Sequence, residues 1–173
     1  MKKYTFLAAA LALGLIVTPA MASLNQFYHA ISGQWTIEGY VGSKNFCAAK
    51  LYYTDDSYVS IFNMQGTKVV SMMVHNTDWD IVGDKNVTYL GYINFEGKIG
   101  NQSNSAFFEL KDSQTIVFRD LTETFLDNWM NYRTMTIVMP SSIGNLEVPL
   151  RGTGDIVPNF AECIDILNGN SGD

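Results

Sequence analysis

The chain has 173 residues, 47% of them hydrophobic and 13% aromatic, and its 17 acids outnumber its 11 lysines and arginines for a net charge of −6. That length supports one core of ordinary size rather than two. The acidic balance works against nucleic acid and anionic lipid as partners and leaves a protein, peptide or glycan.

Residues 1–22, MKKYTFLAAALALGLIVTPAMA, place Lys2 and Lys3 before an apolar run from Phe6 to Val17, then Pro19 and the small-x-small ending Ala20-Met21-Ala22. This is the pattern of a secretory signal peptide cut before Ser23. The apolar run is shorter than the roughly 20 residues a membrane span needs, and no later stretch predicts a span. Cleavage leaves 173 − 22 = 151 residues, expected to form one β-rich domain over 23–173 in the periplasm or outside the cell.

Strand signals follow. "QWTIEGY" (34–40) alternates apolar and polar residues with period two. "FCAAKLYY" and "YVSIFNM" flank "TDDS", whose short polar side chains favour a turn, and so predict a hairpin. "TKVVSMMVHN", "NVTYLGYINF", "SAFFEL" and "QTIVFRD" continue the series with connections too short for parallel crossovers, which predicts antiparallel pairing. The polar stretch "GKIGNQSNS" (97–105) reads as a long flexible loop.

Two segments have helical spacing. In "DLTETFLDNWMNY" (120–132), Leu121, Phe125, Leu126, Trp129 and Met130 share one face and Thr122 is placed to cap. In "GDIVPNFAECIDILNG" (154–169), Asp155 is placed to cap, Pro158 falls in the first turn, Gly169 stops the helix, and Ile156, Phe160, Cys163 and Leu167 line one face. The fold class expected is mainly β: an antiparallel sandwich or half-open barrel with a short helix and a C-terminal helix.

Cys47 and Cys163 are the two cysteines. Export places them in an oxidising compartment, where two thiols in one small domain pair. A redox or metal site is less well supported, because close CxxC spacing is missing and His29 and His75 are far apart in sequence. The expected bond would fasten the C-terminal helix to the strand carrying Cys47.

Catalytic signals are sparse. Asp55 and Asp56 are adjacent and would point apart on a strand, unlike the converging carboxyls of a hydrolase. "HNTDWDIVGDKN" (75–86) gathers Asp78, Asp80 and Asp84 around Trp79, but a calcium loop counted from Asp78 fails at Val82 and Tyr89. His75 has no nucleophile or base at a recognisable spacing, and "GTGD" (152–155) lacks the lysine of a phosphate loop. No metal set and no cofactor is expected. The aromatic signal is stronger: Tyr40, Tyr52, Tyr53, Tyr58 and Tyr92, together with Tyr89, fall on predicted strands, and an outward row of tyrosines is typical of binding surfaces.

The C-terminal half, "FLDNWMNYRTMTIVMPSSIGNLEVPLRGTGDIVPNFAEC", runs as short helix, strand, turn, strand ending in "PLRGT", then helix. It resembles the end of small exported β-rich proteins of the invasion-associated locus B type. The resemblance implies a secreted β-sandwich without an established enzymatic activity and transfers no catalytic residue. The function expected is a non-enzymatic periplasmic or secreted binding or accessory module. The alternatives are an inhibitor of another secreted enzyme and a hydrolase using His75 with nearby acids.

Overall fold

The computed structural model describes residues 24–97, 100–140 and 143–170, so the leader expected over 1–22 lies outside the described residues. The strands are β1 (Asn25–Ser32), β2 (Trp35–Val41), β3 (Phe46–Tyr52), β4 (Tyr58–Met64), β5 (Val70–His75), β6 (Thr88–Gly97), β7 (Gly100–Leu110), β8 (Thr115–Leu121), β9 (Thr134–Val138) and β10 (Asn145–Pro149). Helix α1 (Glu123–Asn131) lies between β8 and β9, and α2 (Thr153–Leu167) follows β10. The strands form one antiparallel sheet in the order β1-β2-β3-β4-β5-β8-β7-β6-β9-β10.

Alternation decides which side of each strand meets the core. Trp35 and Ile37 on β2, Cys47, Ala49 and Leu51 on β3, and Val59 and Ile61 on β4 point to one face. Ile93 and Phe95 on β6 and Met135 and Ile137 on β9 join them in the same cluster. The sheet is not closed, since β1 and β10 are its two free edges. Its ends approach at one corner, where Ser32 Oγ donates to the Gly152 carbonyl (3.2 Å) and Tyr53 Oη donates to the Glu147 carbonyl (3.4 Å). The architecture is the expected mainly β one: an unclosed antiparallel sheet, as in a sandwich or a half-open barrel, with a short helix and a C-terminal helix packed on its core face.

Helix α1 brings Phe125 and Trp129 into the core, with Trp129 edge-on to Trp35 (centroids 5.1 Å apart) and Phe125 edge-on to Phe95 (5.7 Å). Thr122 occupies the cap position without a side-chain cap bond. Met130 is on the exposed side of the helix and Leu121 belongs to β8, so the apolar face is narrower than the spacing predicts.

Helix α2 buries Ile156, Phe160, Cys163 and Leu167, the four residues its spacing selects, together with Thr153. Each large apolar side chain so placed contributes about 1.5–3 kcal/mol. The helix starts earlier than Asp155, at Thr153, because Gly152 (φ +86°) turns the chain against Gly33 (φ +61°). A Cβ on Gly152 would lie 3.3 Å from the Gly33 Cα. The Thr153 hydroxyl sits 2.8 Å from the carbonyl oxygens of Trp129 and Leu150 and so ties α2 to the end of α1.

Cys47 and Cys163 are bonded, with Cα atoms 6.1 Å apart. Gly39, paired with Cys47 across β2 and β3, makes room for the bond: a Cβ there would come within 2.8 Å of Cys163 Sγ and 2.6 Å of the Phe27 ring.

Residues 25–32 form β1, an edge strand with weak alternation and little burial, which the sequence does not signal. One expectation fails. Residues 100–105 belong to β7 rather than to a flexible loop, because they pair with β6 from Gly97↔Gly100 onward and Ser103 Oγ donates to Asn94 Oδ1 at 2.6 Å. Backbone ladder bonds hold a strand there that carries almost no apolar side chains.

The bond closes a loop with a sequence separation of 116. Replacing both cysteines with alanine should therefore lower stability by about 2–4 kcal/mol, read as a fall in the urea midpoint of the purified protein. Gly39→Ala with the bond intact should also lower the midpoint, through its clash with Phe27 and Cys163.

Candidate functional site

The second face of an antiparallel sheet is ordinarily polar where it meets water. Here it is not. Cross-strand register aligns Tyr52, Tyr58, His75 and Thr115 in one row over β3, β4, β5 and β8. The next row holds Thr36, Lys50, Ser60, Met73, Val117 and Glu109, and beyond it lie Phe62 and then Tyr40, Phe46 and Met64.

Small residues make this surface concave. Ala48 and Ser60 face outward yet are only 1% and 6% exposed, because the bulky side chains beside them stand above. Phe46, Phe62 and Met64 form one wall and Tyr52, Tyr58 and Met73 the other, enclosing a groove of about 740 Å³. Tyr58 stacks on His75 with centroids 5.2 Å apart, lies 6.0 Å from Tyr52, and donates to Met73 Sδ at 3.4 Å. Tyr40 packs at a tilt on Phe46, with centroids 5.3 Å apart, just outside the groove.

Cations rim the groove although the chain is acidic. Lys50 Nζ lies 2.7 Å from Glu38 Oε2 and 5.6 Å from the Tyr40 ring centre. Burial works against its charge, but the bond to Glu38 outweighs this and its pKa is raised. Burial, followed by the neighbouring Glu38, raises Tyr40; burial dominates the rise at Tyr58. At the far end Arg119 Nε lies 2.8 Å from Glu109 Oε2. Lys44 and Lys111 also line the groove and form no ion pair among the described residues.

The five tyrosines singled out in the sequence separate into groups. Tyr52 and Tyr58 line the groove and Tyr40 adjoins it. Tyr92 is on the same outer face but on β6, where it neighbours Ser105 and Val138 in register. Tyr53 is half-buried against β10, and burial, with Asp55 and Glu147 adding to it, pushes its pKa up to about 12. Phe46, Phe62, Met64 and Met73 complete the walls. Their alternation with Ala48 and Ser60 was the available signal, since outward positions that hold apolar and small residues are unusual.

His75 has Thr115 as its hydrogen-bond partner, Nδ1 to Oγ1 at 3.0 Å, and Thr115 is the buried end of the row. Asp55 instead binds the Ser57 N–H and hydroxyl. Those bonds, the backbone one foremost, lower its pKa, with His75 adding a small attraction. At Asp112 partial burial is outweighed by hydrogen bonds from Thr115 and Gln114, and the pKa is likewise lowered. The corner thus places two carboxylates near an imidazole, each occupied by turn contacts. Asp84 serves a turn too, its Oδ1 accepting from the Asn86 N–H at 2.8 Å. Among the described residues no group of three or more His, Cys, Asp or Glu is arranged to hold a metal ion.

No family model matches the chain, and no curated protein matches it. Among solved structures it shows similarity to the C-terminal receptor-binding domain of avian reovirus fibre sigmaC, Zn crystal form. The identity is 11% over 75% of this chain and 70% of that one, with a TM-score of 0.24. A score that low establishes no shared fold.

Because Asp55 and Asp112 have folded pKa values below their ordinary 3.8, their stabilisation is present above that value and is lost as pH falls through the folded ones. The difference in thermal midpoint between wild type and Asp55→Asn/Asp112→Asn should shrink as pH falls from about pH 4 toward about pH 2. A difference that grows over that range would contradict the assigned hydrogen bonds.

Proposed function

We propose that this chain is an exported, non-enzymatic binding module that holds an apolar, acid-flanked segment of a partner protein across its outer groove. The observation that carries the reading is the groove itself. Two walls of aromatic and methionine side chains stand on the sheet face that does not serve the core. Aromatic rings supply contact area at low entropic cost, and methionine adapts to the shape of what it meets. Lys44, Lys111 and Arg119 on the rim complement carboxylates beside the apolar segment. The resemblance of the C-terminal half to small exported β-rich proteins supports the same class, and the bond between Cys47 and Cys163 is compatible with export. The helices described here are not long and apolar enough to cross a membrane.

Tyr52→Ser/Tyr58→Ser should weaken a peptide selected for binding to wild type by about tenfold or more, a cost of roughly 1.4 kcal/mol, with the fold retained, read as an unchanged far-UV circular dichroism spectrum. Lys44→Glu/Lys111→Glu should weaken it further at low salt than at high salt. Equal binding by the tyrosine variant would remove the groove from the reading. A general hydrolase screen with turnover lost in His75→Ala would replace the binding module with an enzyme.

A further inference from the structure

The sheet forks between β7 and β8. These strands share only the pairs Phe108↔Phe118, Glu109↔Val117 and Leu110↔Ile116. Beyond them β7 continues on β6 as far as Gly100, while β8 continues on β5 as far as Leu121. The cause lies in β8. Between Met72↔Phe118 and Val70↔Leu121 the β5 side advances two residues and the β8 side three, so β8 carries a bulge. Asp120 sits in that bulge at φ +53°, a left-handed conformation uncommon for a residue with a side chain. A bulge bends its strand and ends local pairing, and strained backbone of this kind concentrates at functional sites.

The opening left by the fork is a cavity of about 670 Å³. Ser103, Ser105 and Phe107 border it on one side and Arg119 and Asp120 on the other, with the buried Phe125 of α1 below. Among the described residues, the β7 border presents unpaired backbone. The Lys111 N–H donates to the Thr115 carbonyl at 2.9 Å, so by the alternation of an antiparallel strand the backbone groups of every second residue, 109, 107, 105 and 103, aim toward β8. Glu109 finds Val117 there, whereas among the described residues Ser105 and Ser103 have no strand opposite them. Phe107 stands beside the opening 64% exposed, paired on β6 with the exposed Leu90.

We propose that the fork is a slot for one extended polypeptide strand of a partner protein, which adds to β7 at Ser103–Phe107 and fills the break in the sheet. Only a strand offers N–H and C=O groups at the two-residue repeat, roughly 6.8 Å, that Ser103 and Ser105 present. Its alternate side chains meet different surroundings. One set packs inward on Leu121 and Phe125 and is therefore apolar; the other lies outward beside Phe107. This slot recognises backbone, so it does not depend on the aromatic groove, which it meets at Glu109, Val117 and Arg119.

The test is selection of short random peptides displayed on phage against the oxidised mature protein, followed by amide exchange and titration with the synthetic peptide selected. Binding should slow exchange at Ser103 and Ser105. N-methylation at alternate peptide positions should weaken binding by about tenfold or more, while methylation at the intervening positions should not. Ser105→Pro removes an N–H that β6 does not use and should abolish binding at an unchanged melting temperature. Should that variant misfold, the N-methyl series decides the matter on unaltered protein. The slot is overturned if no peptide is selected, or if selected peptides are indifferent to N-methylation. It is also overturned if protection appears only at Tyr58 and Met73, an outcome that leaves the groove reading standing. Concentration-dependent dimerisation that protects Ser103 and Ser105 in the free protein would assign the edge to a second copy of the chain and overturn the partner strand.

Discussion

Closure of the core by α2 is the constraint on which the rest of the structure depends. An unclosed sheet cannot seal its own apolar face, and here the seal is α2, the last of the described elements along the chain. Ile156, Phe160 and Leu167 cover β2 and β3, and the bond from Cys163 to Cys47 fixes which turn of the helix meets which strand. The contacts around it are arranged for this approach. Gly39 leaves room for the sulfur and the Phe27 ring, Gly33 and Gly152 let two backbones touch, and Thr153 joins α2 to α1 through the Trp129 carbonyl. Tyr28, donating to Glu162 at 2.7 Å, carries the same attachment out to β1.

With the inner face committed to the helices, the outer face is free to carry something other than core. Its composition departs from the polar alternation that solubility favours. Aromatic and methionine side chains stand in register across β3, β4 and β5, and Ala48 and Ser60 lower the surface between them. The ion pairs Lys50–Glu38 and Arg119–Glu109 bracket this region. Each is at least partly exposed and contributes little to stability by itself, so their place at the ends of a groove bears more on what the groove accepts than on the fold.

The fork follows from the same sheet. Ten strands wrapped around a single core must bend, and bulges concentrate that bending at particular residues. In β8 the bend falls at Asp120, just before the chain turns into α1 at Thr122, and it separates β8 from β7. The aromatic groove and the open β7 edge are thus consequences of one curved sheet, seen on the two sides of the Glu109–Arg119 pair.

Much was determined by the sequence alone. Period-two alternation in 34–40 and the turn between 46–53 and 58–64 specify antiparallel strands, and the 4, 3, 4 spacing of Ile156, Phe160, Cys163 and Leu167 specifies a helix with the thiol on its buried side. The pairing of Cys47 with Cys163 followed from there being two cysteines and a pattern for export. Local signals fail where structure is held mainly by backbone. The polar half of β7 has little apolar surface to reveal it, since its ladder bonds come from its hairpin partner β6. The site was legible in kind but not in membership. Outward tyrosines could be expected, yet which of Tyr40, Tyr52, Tyr53, Tyr58 and Tyr92 share a surface depends on register and on where each strand stops: Tyr53 falls just past the end of β3 and reaches β10, and register places Tyr92 beyond the fork. Groove and fork are decided only by tertiary structure, because both arise from the heights of side chains on adjacent strands and from where a bulge falls between them, and neither quantity is written in any one segment of the chain.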